Sequence, residues 1–242
     1  MRILVISDIH GNFPALEAVL SSVVTVDAVW CLGDLVGYGP HPNECIERIA
    51  SLPNLTCLLG NHDAAVTDSR NIEKFNDEAG HAIYWTRRNL SDANLDYLSK
   101  LPEMVATDWV TLAHGSPRNP TWEYIIDPMT AMINFAFFDT QIALVGHSHL
   151  PVAFIADKES DNITRTLTKP GDVLHLETRV ILNPGSVGQP RDHDPRASYG
   201  ILDPEEQTWE LFRVEYDFKK TQADLKKAGL PAKLASRLAE GW

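Results

Sequence analysis

Apolar runs that stop at polar, glycine-flanked residues set the pattern of this chain. Ile3-Leu4-Val5-Ile6 reads as a buried strand ending at Asp8-Ile9-His10-Gly11. Four more runs stop in the same way. Ala28–Leu32 leads to Gly33-Asp34, and Leu55–Leu59 leads to Gly60-Asn61-His62-Asp63. Val110–Ala113 leads to His114-Gly115, and Ile142–Val145 leads to Gly146-His147-Ser148-His149. Short unbroken apolar runs suit strands covered on both faces. Helical spacing lies between them: Leu16, Val19, Leu20 and Val23 after Pro14, then Cys45, Ile46 and Ile49. A mostly helical stretch spans roughly 75–100, with N-caps predicted at Asn76 and Ser91 and with Trp85, Leu95 and Leu98 facing the core. A hairpin is expected about Thr107-Asp108. The helix opening at Asp127-Pro128 and running to about Phe138 is apolar enough to predict burial on more than one face.

From about Pro151 the texture changes to short strands and turns. Val152–Ala156, Ile163–Leu167, Arg179–Leu182, Ser198–Leu202 and Thr208–Arg213 predict a second, antiparallel sheet region. The stretch from Asp217 to Trp242 reads as two short helices broken at Gly229-Leu230-Pro231. Alternating strand and helix in the first half favours a parallel sheet with covering helices. Pattern alone therefore predicts an α/β protein with a β-rich C-terminal half. We read residues 1–242 as a single domain with a C-terminal helical extension at about 217–242.

Composition narrows the function. The chain has 242 residues, 44% of them hydrophobic and 22% charged, as in an ordinary globular protein. Its formal charge is −12 and no basic stripe appears, which argues against binding long nucleic acid. No apolar run approaches the ~20 residues that span a bilayer. A core strand starting so close to Met1 predicts no signal peptide and a cytoplasmic location. Cys31, Cys45 and Cys57 are read as reduced thiols.

The polar stops carry the chemistry. Residues two apart on an extended chain point to one side, so Asp8 and His10 can face one point beyond the first strand. An oxygen donor beside an imidazole suits a borderline divalent metal. Five strand ends each offering Asp, Asn or His beside Gly have one common explanation in a metal site. His81, on a predicted helix, reads as a surface or packing residue. The Gly37-Tyr38-Gly39-Pro40-His41-Pro42 loop is read either as a tight turn or as a site wall.

The ordered set Asp-x-His, Gly-Asp, Gly-Asn-His-Asp, His and Gly-His-x-His, with Asn183-Pro184-Gly185-Ser186 after it, resembles the calcineurin-like metallophosphoesterase family. The resemblance implies a four-layer α/β/β/α sandwich of two mixed β-sheets. It implies two divalent metals, Mn, Fe, Ni or Zn. Asp8, His10 and His149 would hold one, and Asn61, His114 and His147 the other, with Asp34 bridging. It also implies attack on phosphorus by a bridging hydroxide, with His62 supplying the leaving-group proton. Asp63 would orient His62 or cap the segment that follows. Protein Ser/Thr phosphatases of this family carry Asp-Arg-Gly where this chain has Gly37-Tyr38-Gly39, so the monoester-gripping Arg is absent. Arg118 and Arg191 are the substrate-binding candidates, and Arg196 is a weaker one. The expected substrate is a small phosphate ester, a phosphodiester or nucleotide-type compound before a phosphoprotein or other monoester. A regulatory module that binds without turnover is the remaining reading.

Overall fold

A computed structural model describes residues 1–160 and 162–242. The chain opens with β1 (Ile3–Ile6), α1 (Phe13–Ser22), β2 (Ala28–Cys31), α2 (Pro42–Ala50), β3 (Leu55–Cys57) and α3 (Asn61–Thr67). Helices α4 (Asp77–Asn89) and α5 (Asp92–Ser99) follow, then hairpin strands β4 (Met104–Ala106) and β5 (Val110–Ala113). Next come α6 (Pro128–Asn134), β6 (Ile142–Leu144), β7 (Pro151–Ala156), β8 (Ile163–Leu167) and β9 (Val173–His175). The chain finishes with β10 (Val180–Pro184), β11 (Ala197–Asp203), β12 (Thr208–Val214), α7 (Phe218–Lys227) and α8 (Ala232–Glu240). The predicted caps form: the Asn76, Ser91 and Asp127 side chains accept from the backbone N–H of Ala79, Asn94 and Thr130. No helix among the described residues is long and apolar enough to cross a membrane.

Two six-stranded mixed sheets form, ordered β3-β2-β1-β11-β12-β9 and β4-β5-β6-β10-β7-β8. β1, β2 and β3 run parallel, as do β5, β6 and β10. The alternation of each strand builds the layers. Ile3 and Val5 point between the sheets with Trp30, Leu112, Leu144, Leu182 and Trp209. Leu4 and Ile6 point outward against Leu16 and Val19 of α1 and Ile46 and Ile49 of α2. On the other outer face, Ala143, Phe154 and Ile181 pack against Ala131 and Phe135. The result is the expected α/β/β/α sandwich.

Three sequence expectations need correction. The C-terminal strands do not make a sheet of their own. β11 and β12 extend the β1 sheet, and β7, β8 and β10 extend the β5–β6 sheet. β11 pairs antiparallel with β1, a long-range closure that no local pattern encodes. Helix α6 buries one face only: Met129, Met132 and Ile133 are exposed, as is Phe137 just beyond it. Asn61, His62 and Asp63 are not strand-end residues but the first turn of α3.

Candidate metal centre

The site lies where parallel strands of both sheets run out. The loop after β1 carries Asp8 and His10, and the loop after β2 carries Asp34. Asn61 and His62 open α3. His114 follows β5, and His147 and His149 follow β6. All eight side chains are buried. Asp8, His10, Asp34, His147 and His149 adopt left-handed backbone angles, with φ between 51° and 63°. Such angles cost non-glycine residues free energy and persist where the surroundings enforce them. Here the loops hold one another. Asp8 N–H donates to Gly33 O, His10 N–H to Asp34 O, Gly146 N–H to His114 O and Gly188 N–H to Asp8 O. The Asn183-Pro184-Gly185-Ser186 stretch braces them: Asn183 Nδ2 donates to Gly146 O and Ser186 Oγ to Asp8 O.

Hydrogen bonds fix the imidazole tautomers. Nδ1 of His10, His114 and His149 lies 3.1, 2.9 and 2.5 Å from the carbonyl oxygens of Val36, Leu32 and Gln189. A carbonyl only accepts, so each Nδ1 carries a proton, and His10 and His149, kept neutral by burial, turn a bare Nε2 inward. Burial holds His10 and His149 below the usual histidine range and brings His147 down to about 3. Burial also lowers His114, but the Asp34 carboxylate outweighs it and lifts that imidazole to about 9. Burial disfavours the Asp34 carboxylate, yet the surrounding imidazoles hold it well below the usual range.

The donor atoms fall into two groups with one shared member. His149 Nε2 is 3.2 Å from Asp8 Oδ1 and 3.1 Å from His10 Nε2, and His10 Nε2 is 3.6 Å from Asp34 Oδ2. His114 Nε2 is 3.1 Å from Asn61 Oδ1 and 3.4 Å from Asp34 Oδ2, with His147 in the same cluster. Ligands about 2.0–2.2 Å from one cation stand roughly 3.0–3.5 Å apart, so these spacings match coordination shells. Two bare Nε2 atoms facing each other at 3.1 Å repel unless a cation lies between them. Asp8 Oδ1, Asp34 Oδ2 and His147 Nε2 are buried with no hydrogen-bond partner, a costly state that a metal relieves. The donor set fits two divalent ions. Asp34 differs from a carboxylate that offers one oxygen to each metal. Its Oδ1 accepts from His62 N–H at 2.8 Å, and Oδ2 alone faces both groups.

His62 stands beside this cluster. Its ring lies 4.7 Å from His10, 4.5 Å from Tyr38 and 4.8 Å from Phe75. Burial lowers it to about 4, and its Nδ1 has no partner. A ligating nitrogen of His62 also falls within 4.8 Å of the His10 and Asp34 donors. Gly37 is required here, because a Cβ on it would sit 2.3 Å from His62 Nδ1. The Gly37-Tyr38-Gly39 loop is thus a site wall. Asp63 does not reach His62. It accepts from Gly60 N–H, Leu35 N–H and Val36 N–H, capping α3 and clamping the loop that carries Asp34.

A cleft of about 710 Å³ opens over Asn61, His62 and His147. Arg191 lines it and bonds only to neutral partners, Gln189 Oε1 and Tyr38 Oη. Arg118 is not brought there. Its guanidinium pairs with Glu123, and it does not line the cleft. The loop arginine faces the acid five residues on, a partner that sequence proximity to His114 does not reveal. Arg196 pairs with Asp194. Sequence reasoning missed the aromatic walls, Phe75, Trp122, Tyr124 and Trp242. Their signal was a pair of aromatics in the Thr121-Trp122-Glu123-Tyr124 loop after His114.

The model of the calcineurin-like phosphoesterase superfamily domain matches residues 1–207. An uncharacterized protein of Methanocaldococcus jannaschii is 39% identical over 248 residues, covering 99% of this chain and 98% of that one. Phosphodiesterase YfcE of Escherichia coli (strain K12) is 28% identical over 205 residues, covering 84% and 88%. The crystal structure of a metallophosphoesterase from Sphaerobacter thermophilus shares 45% identity with a TM-score of 0.92, covering 100% of this chain and 99% of that one.

Proposed function

The chain belongs to the calcineurin-like phosphoesterase superfamily, and we propose that it is a dinuclear metal-dependent phosphodiesterase. The observation that carries this reading is Asp34 Oδ2, one buried unpartnered oxygen within 3.6 Å of His10 Nε2 and 3.4 Å of His114 Nε2. Asp8, His10 and His149 would hold one divalent ion with Asp34, and Asn61, His114 and His147 the other. Mn²⁺, Fe²⁺, Ni²⁺ and Zn²⁺ all accept this nitrogen and oxygen set. Such a pair supplies Lewis-acid polarisation of phosphoryl oxygens and acidifies water for in-line attack.

The chain's own residues do the rest. Neutral Asn61 and four imidazoles leave two carboxylates against about four positive charges. The site therefore attracts a phosphate despite the net charge of −12. Arg191 binds a non-bridging phosphate oxygen from the cleft side. His62 would give a proton to the departing ester oxygen, which otherwise leaves as a costly alkoxide; burial lowers its imidazole to about 4, and the negative charge of a bound phosphate raises it again. Neutral Tyr38, not an acid, packs on His62. The cleft is far larger than one phosphoryl group needs, so diesters and nucleotide-type substrates are favoured. All three cysteines are free and buried, in keeping with a reducing, cytoplasmic setting.

The test is metal-stripped protein reloaded with Mn²⁺ and assayed on bis-p-nitrophenyl phosphate and p-nitrophenyl phosphate, with metal counted by mass spectrometry. The expected result is two bound metals, diester preference, and loss of both metal and turnover in His114→Ala. Fully metallated protein inert towards every phosphate ester would end this reading.

A further inference from the structure

The outer half of the cleft is built partly by a segment that lies beyond the family domain, which matches residues 1–207. Helix α8 carries Arg237, and the turn after it carries Trp242. Both line the cleft. The segment is seated firmly. Thr221 Oγ1 donates to buried Asn12 Oδ1 at 2.9 Å, and Lys233 pairs with Glu78 at 2.8 Å. Gly241, at φ 63°, lets the chain turn where a Cβ would meet Asp194 N at 2.6 Å. Trp242 then stacks on His193, with centroids 5.0 Å apart and planes 10° apart. Trp242 is nonetheless 53% exposed as a residue.

The rest of the outer lining matches it in chemistry. Lys74 Nζ sits 4.5 Å over the Trp122 ring, and Phe75 bridges Trp122 to His62 with centroids 5.5 and 4.8 Å away. Lys74, Arg191 and Arg237 all line the cleft, and no Asp or Glu side chain does so among the described residues. Among the described residues none of the three has an ion-pair partner, whereas Arg118, Arg196 and Arg213 are all paired. Arg237 Nε is buried with no acceptor. In a chain with 33 acidic and 21 basic residues, a lining without Asp or Glu side chains, with three cations outside any ion pair among the described residues and two indole rings, selects for an anion that carries an aromatic face. Every nucleobase offers such a face to stack on.

We propose that this outer cleft is a nucleotide subsite in which Arg237 and Trp242 of the C-terminal segment, together with Lys74 and Trp122, hold the base and a second anionic group of the substrate. The proposal rests on the phosphodiesterase reading for its catalytic consequence, but binding alone tests it. Arg237 and Trp242 are specificity residues that touch the substrate away from the reacting phosphorus.

Two measurements decide it. The first compares kcat/KM for the p-nitrophenyl ester of thymidine 5′-monophosphate with that for methyl p-nitrophenyl phosphate, on Mn²⁺-loaded protein. Trp242→Ala and Arg237→Gln are each expected to cut the ratio of the two about five- to tenfold, through KM, while Trp242→Phe keeps it. The second is titration calorimetry of ADP and of inorganic pyrophosphate on metal-free protein. Trp242→Ala should weaken ADP at least fivefold and leave pyrophosphate nearly unaffected, and Arg237→Gln should weaken both. An unchanged ratio with unchanged ADP affinity overturns the proposal, as does ADP binding no tighter than pyrophosphate. If the wild type hydrolyses neither ester yet binds ADP through Trp242, the catalytic reading fails and the subsite stands.

Discussion

Replacing Gly60 by alanine tests whether the position of Asp34 governs the site. Gly60 caps α3 with φ −86° and ψ 172°, angles that alanine adopts freely, so backbone strain plays no part. The added Cβ would lie 2.0 Å from Asp34 Oδ1, 2.2 Å from Asp34 N and 2.7 Å from Asp34 Cγ. Real Cβ contacts essentially never fall under 3.0 Å, so a gap of at least 1.0 Å must open. Backbone N is among the atoms struck, so rotating the carboxylate is not enough. Either the Asp34 loop or the start of α3 shifts, and with it Oδ2 or Asn61. Overpacking of this kind costs about 1–3 kcal/mol, which lowers Tm by roughly 2–12 °C in a chain of this size. A catalytic group misplaced by about 1 Å loses about 100-fold in rate. Gly60→Ala is therefore expected to stay folded by circular dichroism, to lose at least one Mn²⁺, and to drop about 100-fold in kcat on bis-p-nitrophenyl phosphate. A variant with full metal content and wild-type kcat would refute the link between this contact and the proposed bridging role of Asp34 Oδ2.

Other substitutions separate the arginines. Arg191→Ala should raise KM for a diester about tenfold or more, the worth of a charged hydrogen bond, while Arg118→Ala should change kcat/KM less than twofold. Steady-state kinetics on both variants checks this, and a larger loss in Arg118→Ala would reverse the assignment. Arg213 has a side chain only 2% exposed and pairs with Asp192, so Arg213→Ala should cost about 3–5 kcal/mol in urea unfolding. A loss under about 1 kcal/mol would show that the pair is replaceable. Glu123 is held at about 2 by hydrogen bonds from Arg118, Ser116 and Asn134 against its usual 4.5. That stabilisation is complete above about pH 4.5 and fades as pH falls toward 2, because the folded state resists the protonation that the unfolded state accepts. Acid unfolding of Glu123→Gln should be flatter across that window than wild type, and identical curves would remove Glu123 as a contributor.

Much of the centre was legible because five apolar runs each stop at a polar, glycine-flanked stretch that carries the clustered Asp, Asn and His side chains, a local signal repeated five times. The layers followed from unbroken runs such as Ile3–Ile6, which alternate between two covered faces. What stayed hidden depends on partners distant in the chain. β11 pairs with β1 across nearly the whole sequence, so the second half was read as a separate sheet. Arg118 looked free because Glu123 turns back on it only in the folded loop. The short β9 shows alternate exposure rather than an apolar run, and it left no pattern to read. Trp242 and Arg237 reach the cleft only through the seat of α8, which neither periodicity nor a family pattern ending at residue 207 describes.

The order in which the centre can be assembled follows from its hydrogen bonds. His149 takes its tautomer from the carbonyl of Gln189, and the Asp8 loop is held by Gly188. On a ribosome, the first ligands emerge long before these braces, so a nascent chain shorter than about 190 residues has donors but no shaped cage. Capture of the proposed cations would then mark the end of synthesis rather than guide it. Under the proposed metal reading, a bound ion would report a correctly closed pair of sheets, and a chain cut before Gly188 is expected to bind none.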